Sequence, residues 1–135
     1  MLQFSIPLRN ARAAQFLAVI GPDPLLKLYS DSEPADCAAV APPGLLATLT
    51  LPATWLGSPS EGVVSLAGTW EGTASAAGRA ASWRLYDSTG TTCHKQGTVS
   101  APGADPLGDL VLINPALTIG EPISVTNFAL TEANA

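Results

Sequence analysis

Charge is what this chain has least of. Only 13% of its 135 residues are Asp, Glu, Lys or Arg, against roughly 25% in ordinary soluble domains. A monomer living alone in water carries more charge than this to stay soluble. The surface is therefore either Ala/Gly/Thr-rich or covered by neighbouring subunits, and a shortage of charge favours the covered surface. Bases are scarcer still. Arg9, Arg12, Lys27, Arg79, Arg84 and Lys95 form no run or stripe. A phosphate backbone is gripped by clustered Lys and Arg, which argues against nucleic acid as a partner. After Lys95 no base appears, while Asp105, Asp109, Glu121 and Glu132 do. Scattered solvated charge accounts for this, as would attraction between the basic beginning of one copy and the acidic end of the next.

Long apolar runs are also missing. No stretch approaches the roughly 20 residues that span a bilayer, so no membrane partner is expected. The opening "MLQFSIPLRNARAAQFLAVIG" has its bases inside the apolar segment, the wrong order for a signal peptide. The expectation is a protein kept in the cytoplasm or released by a route other than secretion.

The residues of nucleophilic and metal chemistry are few: one histidine, His94, and two cysteines, Cys37 and Cys93. They make no ligand cluster of usable spacing. There is no G-x-S-x-G elbow and no Gly-rich phosphate loop followed by Lys, so neither catalytic residues nor a cofactor or metal is expected. In "YDSTGTTCH", Asp87 and Gly90 suit the ends of a type I hairpin turn. Cys93 and His94 then begin the return strand, where consecutive side chains point to opposite faces and do not share a proton. Cys37 and Cys93 are a candidate disulfide, which would close a loop of over fifty residues and add roughly 3–4 kcal/mol. Buried free thiols are the other reading, and the first to form in a reducing cytosol.

What is present is punctuation and alternation. Glycine and proline each number 12, and from residue 25 the apolar period is two. Leu26 and Leu28 face one way in "LLKLYS", with Lys27 and Tyr29 opposite. In "LLATLTLP", Leu45, Ala47, Leu49 and Leu51 alternate with Thr48 and Thr50. Further strands are predicted over 62–70, 80–87, 96–100, 109–114 and 122–131. Residues 54–80 are weakly specified, with a loop over 58–62 and a strand pair either side of Gly72. Residues 8–20 read as the one helix, with Pro7 in its first turn and Gly21-Pro22 ending it. The fold class is mainly β: an antiparallel β-sandwich or jelly roll preceded by one N-terminal helix. The division is an arm and helix over 1–21 and one sandwich domain over 22–135. Leu2, Phe4 and Ile6 are apolar in a segment with no sheet of its own, and read as a docking arm. Of the three tryptophans, Trp83 shares a face with Leu85 and reads as core. Trp55 follows a strand end and is freer: core or interface is the first reading for it too, and stacking on a saccharide is the alternative.

Three segments, "LRNARAAQFLAVIG…LLKLYSDSEPADCA", "AASWRLYDSTGTTCHKQGTVS" and "GDLVLINPALTIGEPISVTNFALTEANA", together resemble a family of small virion structural or accessory proteins of tailed bacteriophages and prophages. The resemblance implies a non-enzymatic virion component, most simply a capsid decoration or cement protein. Its partners would be the major capsid protein or tail proteins and further copies of itself. A tail-tip or fibre adaptor binding a host-surface saccharide is the second placement. No functional residues come with the resemblance.

Overall fold

Alternation of Leu26 and Leu28 with Lys27 and Tyr29 gives strand β1 (Leu25–Tyr29) one apolar face, and the sheet is built outward from it. The computed structural model describes residues 3–104, 108–125 and 128–131. The chain is mainly β, with one N-terminal helix α1 (Ile6–Ile20). Further strands are β2 (Leu45–Thr50), β3 (Val63–Ser65), β4 (Trp70–Thr73), β5 (Gly78–Arg79), β6 (Ser82–Tyr86) and β7 (Cys93–Ser100). Then come β8 (Leu110–Val111), β9 (Ala116–Leu117), β10 (Pro122–Val125) and β11 (Ala129–Thr131). A five-stranded sheet has the order β2-β1-β6-β7-β8, and three short pairs, β10-β4, β11-β3 and β5-β9, curl against it.

The pairing is antiparallel except between β7 and β8, which run parallel. This departs from the wholly antiparallel expectation. After Ser100 the chain turns back, with Gly108 N–H bonded to Ser100 Oγ at 2.8 Å. It then re-enters alongside β7, where Leu110 and Leu112 reach the core.

On its inner face the sheet presents Leu26, Leu28, Ala47, Leu49, Trp83 and Leu85, all buried. Against them lies an aromatic chain. Trp55 meets Trp70 at 6.1 Å between centroids, Trp70 meets Phe128 at 5.1 Å, and Phe128 meets Trp83 edge-on at 5.3 Å. Such tilted and T-shaped contacts let the ring edges meet neighbouring π-faces. Gly97 makes the close approach at this seam possible: a Cβ there would lie 2.8 Å from Trp83 Nε1.

Several local predictions are corrected. The alternation of β2 breaks at its start, since Tyr29 pairs with Leu45 but Leu28 with Ala47. The extra residue, Leu46, turns inward and Leu45 is left exposed. Gly72 lies within β4 rather than between two strands, because Leu49 packs directly over it and leaves no room for a Cβ. The strand predicted over 62–70 divides into β3 and the start of β4, and that over 122–131 into β10 and β11. Helix α1 starts two residues before the predicted Leu8, because Ser5 caps it by accepting from Leu8 N–H at 3.3 Å. It ends at Gly21, whose φ of 83° no longer fits a helix. Ala13 and Ile20 of α1 enter the core, with Phe16 and Leu17 packed against it.

Candidate functional site

Two surfaces of the molecule are candidates. The first is its outer face, where β6 is buried from end to end. The cover is a strap, residues 31–44, between β1 and β2, and its side chains are almost all half-buried or exposed. The sheet holds the strap by its backbone. Arg84, 3% exposed, donates from one terminal nitrogen to the carbonyls of Asp36 and Ala39, each at 3.0 Å. Its Nε donates to Gln96 Oε1 at 3.2 Å, and Gln96 Nε2 donates to Pro34 O at 2.6 Å. Ser82 Oγ donates to Asp31 O at 2.6 Å. The Cys37–Cys93 disulfide, with Cα atoms 5.4 Å apart, ties the strap to β7.

Under the strap, Tyr29 and Tyr86 share a hydrogen bond between hydroxyls at 3.4 Å, and Arg84 donates to Tyr86. Burial, then the bond and charge of Tyr86, push the Tyr29 phenol well above its ordinary range. Burial pushes Tyr86 up too, but hydrogen bonds from Tyr29 and Arg84 and the charges of Arg84 and Lys27 outweigh it, and its phenol sits below the ordinary range. The sequence reading missed this cluster. The signal was there: of the outward positions Leu25, Lys27 and Tyr29 of β1 and Ser82, Arg84 and Tyr86 of β6, all but Leu25 carry a hydrogen-bonding side chain.

The second surface is the outer flank of α1. Leu8 and Val19 are exposed there, and Ile6 is exposed in the first turn on the side of Ala13 and Ile20. Leu8, Arg12, Gln15 and Val19 recur at helical spacing and form one stripe. Beside it opens a cleft of 360 Å³ lined by Arg12, Gln15, Phe16, Val19, Ile20 and His94. His94 is there because of a second irregularity. Leu85 pairs with Lys95 but Tyr86 with Cys93, so His94 is the extra residue of a β-bulge. Lys95 Nζ stands 5.5 Å from the centroid of Phe16, which completes a basic, apolar-walled recess.

The residues singled out from sequence fare differently. Cys37 and Cys93 are brought together. Cys93 faces the strap and His94 faces the helix, so the two do not form a dyad. Asp87 and Gly90 form the expected turn, with Gly90 N–H bonded to Asp87 O at 3.0 Å. Of the docking arm, Leu2 lies outside the described residues. Phe4 is half-buried with the Arg12 guanidinium 4.9 Å from its ring, and Ile6 is exposed in the first turn of α1. Trp55 is corrected. It is fully buried, its Nε1 donates to Gly21 O at 2.9 Å, and its ring lies against Trp70, so no face is open to a saccharide. Among the described residues no group of three metal-ligating side chains converges, and no helix is long and apolar enough to cross a membrane. No family model matches the chain, and no curated protein or solved structure proves similar to it.

Proposed function

We propose that the chain is a non-enzymatic structural subunit of a tailed-phage virion, a capsid decoration or cement protein that stabilises the particle by contacts with other virion proteins. The observation that carries this reading is α1 itself: Leu8 and Val19 are exposed on its outer flank, Ile6 is exposed in its first turn, and Ala13 and Ile20 anchor its other side in the core. A helix fixed in place, with Leu8 and Val19 at the two ends of its free stripe, is a preformed docking surface with little left to order on binding. Few charges and the three-segment resemblance support the same assignment. Burial of apolar area at a capsomer joint would contribute roughly 25 cal/mol per Å² before ordering costs. The subunit would be made and assembled in the host cytoplasm, and Cys37–Cys93 would close once lysis exposes the particle to oxidising conditions. The adhesin alternative loses its aromatic platform, since Trp55, Trp70 and Trp83 are all buried.

Labelled-antibody electron microscopy of intact particles tests the placement: label over the head is expected, and particles without label would overturn the proposal. At residue level, an Ile6→Asp, Leu8→Asp double variant should fold normally and be lost from particles.

A further inference from the structure

Ile119 is one of the exposed apolar side chains among the described residues, and a turn fixes it. It is 74% exposed. The turn is locked by Glu121 N–H to Thr118 O at 3.0 Å and by Gly120 N–H to Ala74 O at 2.8 Å. Glu121 Oε2 accepts from Thr118 N–H at 2.9 Å, so a carboxylate is held beside the tip. A rigid, exposed isoleucine with an acid at its shoulder is a knob. The recess beside α1, walled by Phe16, Val19 and Ile20 and edged by Arg12 and His94, is a hole of matching chemistry.

The two cannot meet within one chain, because they lie at opposite ends of the sheet. His94 follows Cys93, which pairs with Tyr86, and Tyr86 pairs with Leu25 at the start of β1. Ile119 sits by Ala74 and Ser75. Ser75 N–H bonds to Leu46 O, next to Leu45, which pairs with Tyr29 at the end of β1. Charge differs between the two patches: Arg12, His94 and Lys95 stand at the recess, and the Glu121 carboxylate stands at the knob.

We infer that the partner of the recess is a second copy of this chain: Ile119 of one copy enters the recess between α1 and His94 of the next, with Glu121 brought towards Arg12 and His94. The contact is head-to-tail, using two different patches, so it generates a ring or an open row rather than a closed dimer. It deepens the reading of the chain as an assembly subunit by naming its own kind as one neighbour.

The test is sedimentation velocity of the full oxidised chain over a concentration series, with Ile119→Asp and Val19→Arg variants. The parent chain should associate, and more weakly as salt is raised, because part of the attraction is between charges. Each variant alone should associate at least ten-fold more weakly. Both sites are exposed, so melting temperatures should not change; Ile119→Thr, which keeps the β-branch in the turn, should shift association the same way by less. A one-to-one mixture of the two variants should form dimers and nothing larger, because one intact knob still meets one intact hole. A parent chain that stays monomeric, variants that associate like the parent, or a mixture that stays monomeric would each overturn the inference. Such a failure with particle incorporation intact leaves the virion proposal standing, while self-association without incorporation does the reverse.

Discussion

The two faces of the five-stranded sheet are held by different physics. The inner face is sealed by area: four aromatic rings in one chain, and leucines from β1, β2 and β6 with no exposed surface. The outer face is covered by a strap that buries little of its own. A few hydrogen bonds to strap carbonyls and one covalent link keep it there. Hydrophobic burial scales with area and has no direction. Hydrogen bonds to carbonyls are directional and each is worth only about 1 kcal/mol net. The inner face should therefore govern global stability, and the outer face local opening.

The largest effect should come from breaking the inner face. Trp70→Ala removes the ring that touches both Trp55 and Phe128 and leaves a cavity beneath β4. It should cost about 3–5 kcal/mol in denaturant unfolding. A loss near 1 kcal/mol would mean that the curl of short strands collapses into the gap and that the aromatic chain is not the keystone.

Next is the covalent tie. Replacing Cys37 and Cys93 together by Ala releases a loop whose ends are 56 residues apart. Chain entropy sets the loss at about 4 kcal/mol at most. Its signature should differ from that of Trp70→Ala, with rapid amide exchange and proteolysis confined to residues 31–44 before the sheet is affected. Arg84→Met should be smaller, about 1–3 kcal/mol, since it strips the carbonyls of Asp36 and Ala39 of their donor while filling much of the same space. If Arg84→Met frees the strap even with the disulfide intact, the guanidinium and not the sulfur bridge holds the cover down.

The inner face was the legible one. Its period of two is written in Leu26 and Leu28 and in Trp83 and Leu85, because apolar side chains facing one core must alternate along a strand. Where a bulge intervenes the period misleads, as at Leu46. A bulge is decided by the partner strand, and nothing in the local residues announces it. The saccharide alternative at Trp55 fails for a related reason. Its position after a strand says nothing of the helix end that arrives from 34 residues earlier, and only the packed molecule brings Gly21 O to its indole. The strap was opaque because it is held by its carbonyls, which every sequence has. The candidate docking flank was half legible: the arm was noticed, but the stripe through Leu8, Arg12, Gln15 and Val19 required the helix to be oriented on its core residues Ala13 and Ile20.

Tyr29 and Tyr86 report on the cover directly. One phenol is pushed up and its neighbour down, so an alkaline absorbance titration of the intact protein should show a single early ionisation. The second should appear only with unfolding. Tyr29, whose folded value is raised, contributes stability that is present below the ordinary tyrosine value near 10 and lost as pH rises towards the folded one. Opening the strap by the double cysteine replacement should bring the two ionisations together.

The smallest effect lies at the hairpin where both faces begin. Asp87 opens the turn between β6, which carries Trp83 inward and Arg84 outward, and β7, which carries Cys93. The Thr89 hydroxyl, 2.7 Å from Asp87 Oδ1, holds the carboxyl below its usual range against a slight opposing burial, and the backbone N–H groups of Thr91, Thr92 and Gly90 assist. A carboxyl lowered in the folded state contributes stability above its unfolded value, near pH 4, and loses it as pH falls through the folded one. The stability difference between the parent chain and Asp87→Ala should therefore be constant at neutral pH and shrink towards zero in acid. The group is exposed, so the difference is small and is best read locally. Amide exchange at Thr91 and Thr92, and in the strap tied to Cys93, should quicken in the variant at neutral pH. Exchange at Trp83 and Leu85 should not, because the inner face does not depend on how the turn is capped. Equal quickening on both faces would show that the hairpin opens as one piece, and that the faces are coupled through it rather than held separately.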